Sequence, residues 1–354
     1  MTHMQRPLDP GIRTVLVTGA TGFLGRGILA AFRERGTKVI AACRDPQRLP
    51  PDFSGESRVG DLTDPDYRLA LVEGVDAICH AGTWGAFWGH AGAERRLFLE
   101  PALDLVGKAV EAGVKRFLLA STVAVSAPPS GGKPVPDDAR PSKSGFWPHL
   151  DMLIDIDERM RALASDRIRM VQMRLGHFVG RGNSLGLVPA IIPRLKTRMV
   201  PWIGGGRARM PLATAEDMGE AFALAATVEG VAAYDNFNIH SGALPTMREV
   251  FTHIAREAGI PLPLAPAPYW SGYVFGRLME ALPTRTPFLT RSLVRVSEDW
   301  NTPITRAERV LGFVPKGDWR QAVTASVAER RDLGFPWPPL NQPLPLVPAE
   351  INSS

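Results

Sequence analysis

The amino-acid sequence predicts an α/β protein with a doubly wound parallel sheet and a smaller, mostly helical C-terminal lobe. Short apolar runs alternate with helical patterns through the first half of the 354-residue chain. A glycine-rich turn joins the first apolar run to the first helical pattern, and the alternation changes character after Gly180. Strands connected by helical crossovers pair in parallel, so the alternation predicts one sheet with helices on both faces.

The first element is the apolar run 15–17, which leads through a glycine-rich turn into a helix. Gly19 permits the tight turn, Gly22 lets backbone approach a pyrophosphate, and Gly25 lets the helix pack closely on the strand. The N-terminus of such a helix offers unpaired N–H groups to phosphates. Because a strand precedes the turn and a helix follows it, we interpret it as a dinucleotide site rather than a structural turn. The predicted contacts are Gly19, Thr21, Gly22, Phe23, Leu24 and Gly25.

The remaining elements follow the same alternation. We predict strands at 14–18, 38–42, 56–59, 76–80, 116–120 and 168–174, and helices at 23–35, 66–73, 93–112 and 149–164. Residues 1–180 are therefore the expected dinucleotide-binding Rossmann domain, and 181–354 the substrate lobe and C-terminal tail. Within the second part, 185–196, 214–228 and 246–258 have helical patterns and 236–239 is a short strand. The segment 214–240 is expected to return to the sheet.

Composition indicates a soluble globular protein. Apolar residues make up 45% of the chain and charged residues 22%, which is ordinary for such proteins. The first residues lack a signal-peptide pattern, which favours a cytoplasmic location. The net charge of +5 is spread along the chain without a basic block, which argues against nucleic-acid binding. Cys43 and Cys79 fall in predicted strands, so we expect buried thiols and no metal site.

Six short motifs in order resemble the extended short-chain dehydrogenase/reductase family, also called the NAD-dependent epimerase/dehydratase family. Besides the glycine turn they are Gly60-Asp61-Leu62, His80-Ala81-Gly82, Leu119-Ala120-Ser121-Thr122, the segment 174–180 and Asn236-Phe237-Asn238-Ile239. Segments 289–291 and 307–315 look most like the branch that includes 3β-hydroxysteroid dehydrogenases. The resemblance implies an NAD(P)-dependent reductase or dehydrogenase.

The resemblance also implies adenosine contacts. Asp61 and Leu62 match the pair that holds the adenine, although an aspartate here also suits a helix cap or a turn. In the family, small residues let the backbone run close to the adenosine ribose and the rest of the cofactor. The corresponding residues here are Ala81, Gly82, Thr83 and Ser121.

The end of the second strand distinguishes the two nicotinamide cofactors. An acid there binds the ribose 2′-hydroxyl of NAD, whereas an arginine accommodates a 2′-phosphate. Arg44 occupies this place, and Arg48 follows one helical turn later. The pattern favours NADP(H) over NAD(H), the alternative being a solvated arginine that stacks on adenine.

The catalytic pair of the family is missing. Its members carry a Tyr and, four residues later, a Lys near the start of the helix predicted at 149–164. Leu150 and Ile154 stand there instead, and no tyrosine lies between Tyr67 and Tyr234. Two kinds of protein fit this pattern: a reductase with another proton source, or a non-catalytic dinucleotide-binding sensor or structural subunit. Polar and aromatic residues expected at the nicotinamide end favour the enzyme.

Three residues are candidates for catalysis. The resemblance places Thr122 on the substrate carbonyl and His177 beside the substrate and nicotinamide, while His149 directly precedes the lost tyrosine. Histidine is the side chain best suited to give up a proton near neutral pH. The structural alternatives are a strand-end cap for Thr122, a satisfied buried histidine for His177 and an exposed loop residue for His149.

The substrate is expected to be a lipid-like 3-oxo compound, such as a 3-keto sphingoid or ceramide-type lipid or a 3-oxosteroid. Segment 269–296 mixes aromatic residues with Arg277, Arg285, Arg291 and Arg295, a pattern typical of contact with the anionic inner face of a membrane. A nucleotide sugar is the alternative substrate, because Arg174, Arg207 and Arg209 offer charge to a diphosphate. A homodimer is one possible assembly. The predicted substrate contacts are Trp84, Trp88, Trp147 and Arg209.

Overall fold

The computed structural model describes residues 6–33, 35–128, 130–184, 186–282, 287–332 and 334–335. Its strands are β1 (Thr14–Thr18), β2 (Lys38–Cys43), β3 (Glu56–Val59), β4 (Ala77–His80), β5 (Arg116–Thr122), β6 (Arg169–Leu175), β7 (His177–Phe178), β8 (Trp202–Ile203), β9 (Leu212–Ala213), β10 (Tyr234–Ile239) and β11 (Pro266–Ala267). Seven of these form a parallel sheet in the order β10-β6-β5-β4-β1-β2-β3. The predicted doubly wound α/β fold is confirmed.

The helices are α1 (Phe23–Arg33), α2 (Pro65–Leu71), α3 (Ala91–Glu94), α4 (Glu100–Glu111), α5 (Pro148–Leu163), α6 (Leu187–Lys196), α7 (Ala215–Thr227), α8 (Met247–Ala258), α9 (Tyr269–Ala281), α10 (Arg291–Val296), α11 (Thr305–Leu311) and α12 (Trp319–Asp332). The central strand β1 shows why they form two layers. Val15 and Val17 pack with α1 and α7 on one face, while Leu16 packs with α4 and α5 on the other. Successive strand residues point to opposite faces, so a strand covered on both sides is apolar throughout.

Two predicted elements differ from the structure. The helix expected at 93–112 is divided into α3, a π-helical turn at Arg95–Leu99, and α4. Pro101 lacks the N–H that an α-helix would donate to the carbonyl of Leu97, and a wider turn forms before it. The strand expected at 236–239 is longer: it begins at Tyr234 and pairs with β6 along its whole length.

The C-terminal lobe packs around a separate apolar cluster. Trp202, Phe251 and Trp319 lie in this cluster, which α6, α8 and α12 enclose. No helix in the described part of the chain is long and apolar enough to cross a membrane. Arg285 and the tail after residue 335 lie outside the described residues. Cys43 and Cys79 are free and buried, as expected.

Candidate active site

A cavity of about 1630 Å³ lies at the carboxyl ends of the sheet strands, where the C-terminal lobe faces them. Its walls include residues that directly follow β1, β2, β3, β4 and β6 and residues of α6 and α9. Ligands of open α/β sheets bind at this edge. Pockets for one small molecule are roughly 300–1,000 Å³, so this cavity has room for two ligands side by side.

The glycine turn forms one wall of the cavity, and there is no space for a side chain at Gly19 or at Gly25. Gly19 has a φ of +64°, and a Cβ added to it would lie 2.7 Å from the Ala81 carbonyl oxygen. A Cβ on Gly25 would lie 2.1 Å from the Gly19 carbonyl oxygen. The Gly22 N–H donates to that same carbonyl at 2.9 Å, and α1 starts one residue later. This is the cradle that a pyrophosphate requires, with Thr21, Phe23 and Leu24 also in the wall.

Thr18 fixes the glycine turn to the neighbouring strand, a role that the sequence analysis missed. The Gly82 N–H donates to Thr18 Oγ1 at 3.0 Å, and this oxygen also bonds His80 Nδ1 at 2.8 Å. Because β1 and β4 pair directly, these bonds hold Gly19 and Gly82 against each other at the cavity wall.

The residues expected at the adenosine lie together. Asp61, Leu62, Ala81, Gly82 and Thr83 all line the cavity. The Asp61 carboxylate accepts two hydrogen bonds of 2.8 Å from Thr63, one from its N–H and one from its hydroxyl. Asp61 therefore shapes a turn, while the cap of α2 is Asp64.

Three arginines gather at the end of β2. Arg44 and Arg48 are exposed and line the cavity, as does Arg26 of α1, which was not predicted. The nearby Asp45 carboxylate caps the short helix 46–48, where it accepts a hydrogen bond from the Gln47 N–H at 3.0 Å. The place that an acid would hold in an NAD site is thus basic.

Thr122 and Ser121 lie at the opposite end of the cavity. Thr122 Oγ1 accepts from the Ala124 N–H at 3.2 Å, so it caps a strand end as the structural alternative held. The hydroxyl proton is not used in that bond and remains available to a ligand. Ser121 Oγ is buried without a hydrogen-bond partner among the described residues, a state that native proteins rarely leave unexplained.

Both candidate histidines line the cavity and are neutral. Burial lowers the pKa of His177 to about 4, opposed by a hydrogen bond with the Val296 backbone. Burial alone lowers the pKa of His149 to about 4. Desolvation penalises the imidazolium, so the pKa values of both histidines lie below the ordinary range of a histidine. His149 also lies at the start of α5 in the interior, and not in an exposed loop.

A buried glutamate stands behind His149 and was not predicted. Glu94 is fully buried, and its Oε1 lies 3.6 Å from His149 Nδ1. The Ala86 N–H donates to Oε1 at 2.6 Å, while burial raises the pKa of Glu94 to about 7. A carboxyl group from a helix 55 positions upstream carries no local pattern that would have linked it to His149.

Two of the four predicted substrate contacts lie in the cavity wall and two do not. Trp84 and Trp147 line it, and Trp147 Nε1 donates to the Ala86 carbonyl at 3.0 Å. Trp88 is half-buried outside the lining. The prediction for Arg209 is corrected: its guanidinium pairs with Asp299 at 2.6 Å and bonds the Gly132 carbonyl at 2.9 Å, so it braces two loops.

The positions of the lost catalytic pair are part of the core. Leu150 and Ile154 are buried and do not line the cavity. All four tyrosines fall within the described residues. Of these only Tyr67 lines the cavity, and it does so beside Gly60 at the adenosine end. The structure therefore offers no tyrosine in another place to perform the proton transfer.

Comparison with known proteins identifies the family of the chain. The model of the NAD dependent epimerase/dehydratase family matches residues 15–239, more than half of the chain. The chain is 26% identical over 319 residues to a 2-alkyl-3-oxoalkanoate reductase of Stenotrophomonas maltophilia, covering 85% of this chain and 94% of the relative. It is 25% identical over 334 residues to a 3 beta-hydroxysteroid dehydrogenase/Delta 5-->4-isomerase of Mycobacterium tuberculosis, covering 88% of each.

Among solved structures, Thermus thermophilus UDP-glucose 4-epimerase in complex with NAD superposes with a TM-score of 0.66. The identity is 19%, and the match covers 90% of this chain and 99% of that one. This likeness confirms the fold. The matches also confirm the predicted class, an oxidoreductase-type enzyme of the short-chain dehydrogenase/reductase kind, and the chain belongs to the NAD dependent epimerase/dehydratase family.

Proposed function

We propose that the protein is an NADPH-dependent ketone reductase that acts on a lipid-like 3-oxo compound. The observation that carries this proposal is the division of the cavity into two ends. One end is built from the glycine turn and three arginines, and the other is largely apolar. The apolar walls include Leu153, Ile191, Met199, Phe251, Phe275 and Leu293.

The dinucleotide end fits the cofactor in shape and charge. Side chains are excluded at Gly19 and Gly25 where a pyrophosphate would approach, and Arg26, Arg44 and Arg48 would hold a 2′-phosphate. Related structures that contain NAD support a nicotinamide dinucleotide in general. The preference for the phosphorylated form rests on the arginines alone.

When bound, the nicotinamide supplies a hydride to the substrate. The chain's own residues orient the ketone and manage the proton. The Thr122 hydroxyl would donate a hydrogen bond to the carbonyl oxygen, which polarises the C=O bond of the ketone. His177 also lines the cavity, and its Nε2 is buried without a hydrogen-bond partner among the described residues.

The chemical class of the substrate follows from the walls and from the relatives. Two relatives that cover most of this chain are named for a 3-oxoalkanoate and a 3 beta-hydroxysteroid, which supports an oxygen at carbon 3 of an apolar skeleton. A nucleotide sugar fits less well, because the three arginines predicted for its diphosphate, Arg174, Arg207 and Arg209, do not line the cavity. Of the two other arginines in the wall, Arg181 and Arg194, the second donates to the Phe288 and Ala190 carbonyls. Arg174 is instead buried against the Asp137 carbonyl at 2.7 Å.

The cavity mouth supports a membrane-derived substrate. Among the described residues, most of the large apolar side chains that are exposed to solvent belong to Met199 or to the segment 262–282. Trp270, Val274 and Leu278 form a stripe along α9, at a spacing of four residues. Met199 and Phe275 are both exposed and part of the cavity wall, so the apolar surface runs into the cavity.

Cations flank this apolar surface. Lys196, Arg198 and Arg277 are exposed beside it. Aromatic and aliphatic side chains flanked by cations suit the interface of an anionic bilayer. We therefore propose that the mouth rests on an anionic membrane, from which the substrate enters.

The direct test is reduction by the purified protein. We expect NADPH oxidation with long-chain 3-oxo lipids or 3-oxosteroids and none with UDP-sugars. Lipid extracts of a deletion strain should accumulate a ketone-bearing lipid. NADPH binding without turnover of any such ketone would instead favour a dinucleotide sensor or structural subunit, and altered polysaccharide with unchanged lipids would favour a nucleotide-sugar enzyme.

A further inference from the structure

Glu94 and His149 form a buried acid–imidazole pair behind the cavity wall. His149 lines the cavity, whereas Glu94 does not and is covered completely. Within the described residues, His149 Nδ1 and Glu94 Oε2 are buried without hydrogen-bond partners. An ionised carboxylate in such a place would be costly. The arrangement therefore suits a carboxylic acid that holds its proton and faces a neutral imidazole.

The surroundings keep both groups in place. A Cβ on Gly85 would lie 2.6 Å from the His149 ring, so only glycine allows the imidazole this position. The ring also contacts Phe98, with centroids 5.0 Å apart. Glu94 is the last residue of α3, directly before the π-helical turn, a device that is frequent at functional sites.

We propose that Glu94 is the proton reservoir of the reaction and acts through His149, which delivers the proton to the substrate. This inference rests on the proposed reductase function. It assigns to Glu94 and His149 the proton transfer that the family's tyrosine and lysine perform. Leu150 and Ile154, which stand at the positions of that pair, cannot exchange protons.

The step balances without another reactant beyond the hydride donor. As hydride reaches the carbonyl carbon, the Nε2–H bond of neutral His149 breaks and its proton forms the O–H bond of the alcohol. In the reacting complex the 3.6 Å between Glu94 Oε1 and His149 Nδ1 shortens to a hydrogen bond. The carboxyl O–H bond of Glu94 then breaks at the same time, and its proton forms an N–H bond at Nδ1. The imidazole stays neutral and Glu94 becomes a carboxylate. Between turnovers, water in the cavity gives a proton to His149 Nε2 while the Nδ1 proton returns to the covered Glu94 carboxylate, which restores the starting state.

The titration behaviour of the pair agrees with this relay. Burial raises the pKa of Glu94 to about 7, opposed only by the Ala86 N–H. His149 stays neutral at that pH because burial lowers its pKa to about 4. The charged groups on the neighbouring elements are directed elsewhere: His90, Arg95 and Arg96 are exposed, and Asp151 of α5 accepts from the Ser144 and Gly145 N–H groups.

The test compares Glu94→Gln with the wild type. We expect kcat to fall about 10²-fold, in the range for loss of a general acid, while NADPH affinity stays within about twofold of wild type. The wild-type kcat should decline as the pH rises through about 7, and this decline should vanish in the variant. Glu100→Gln, an exposed glutamate at the start of α4, is the matched control and should behave as wild type.

A second measurement needs no turnover. In infrared difference spectra, the carbonyl stretch of a protonated carboxyl should disappear as the pH rises through about 7. Glu94→Gln should lose this part of the signal and keep the part from Asp137, whose pKa burial raises to about 6. An active wild type whose Glu94→Gln variant keeps the full rate and the same pH profile overturns the relay alone. A wild type that reduces no 3-oxo compound overturns the proposed function itself.

Discussion

The Arg26 guanidinium donates a hydrogen bond of 2.8 Å to the backbone carbonyl of Arg48, which ties the first turn of α1 to the segment after β2. This bond holds the arginine cluster next to the glycine turn. Arg44 completes the cluster, and its side chain is exposed to whatever enters the cavity.

The first prediction concerns cofactor choice. Arg44→Ala should weaken NADPH binding by about 10- to 100-fold, because a hydrogen bond to a charged group contributes about 1.5–3 kcal/mol. NADH binding should barely change, since NADH lacks the 2′-phosphate. Calorimetric titration of both cofactors measures this, with Arg33→Ala as the control, an exposed residue outside the cavity wall. Tighter binding of NADH than NADPH by the wild type would contradict the NADP(H) assignment.

The second prediction separates backbone strain from loss of space. Gly19 and Gly36 both have a φ of +64°, but a Cβ meets the Ala81 carbonyl only at Gly19. Gly36→Ala should cost about 1 kcal/mol of unfolding free energy and leave dinucleotide affinity unchanged. Gly19→Ala should abolish dinucleotide binding. Thermal unfolding and titration of both variants test this, and equal cofactor affinities would show that the turn does not hold the pyrophosphate.

The third prediction concerns Thr122. Thr122→Ala should lower kcat about 10²-fold, the size of effect expected for one donor to a developing oxyanion, and change cofactor affinity little. It should also cost about 1 kcal/mol in stability, because the side chain caps a turn. Thr122→Ser keeps the hydroxyl and should retain most activity. A loss of cofactor affinity in place of kcat would assign the residue to the dinucleotide.

The fourth prediction concerns stability against pH. The folded-state pKa of Glu94, about 7, lies above its ordinary value of 4.5, so the folded state binds more protons between these values. Unfolding free energy should therefore fall as pH rises through this window, by about 3 kcal/mol from this group. Glu94→Gln should lose this decline. Denaturant unfolding of both proteins at about pH 5 and pH 8 isolates the difference, and parallel curves would contradict it.

The fifth prediction concerns the membrane. Replacement of Trp270 and Leu278 by serine should reduce binding to vesicles of phosphatidylglycerol and phosphatidylcholine by at least about tenfold, because two large exposed side chains leave the interface. Leu69→Ser is the control, since Leu69 is similarly exposed on α2. Binding that is independent of the anionic lipid, or equal for all variants, would remove the membrane from the proposal.

Sequence reasoning succeeded where the signal was local. The turn from Gly19 to Gly25 joins adjacent elements, and the parallel, doubly wound sheet follows from the alternation of strands and helices, so both could be predicted. Arg209 could not be placed, because its direction depends on Asp299, a partner 90 positions away. Glu94 could not be predicted for the same reason, because its proposed role depends on its burial beside His149 of α5.

The return of β10 to the sheet has a consequence for the order in which this protein folds. Strand β6 is paired on one side by β5 and on the other by β10, whose residues 234–239 follow the first elements of the C-terminal lobe. A nascent chain that has reached only residue 180 carries β6 as a bare edge, and unpaired edges associate with other strands. The packing of α7 on α1 is missing at that stage as well. Synthesis must pass residue 239 before the nucleotide-binding sheet is complete, so the folding of this sheet waits for chain that lies well beyond residue 180.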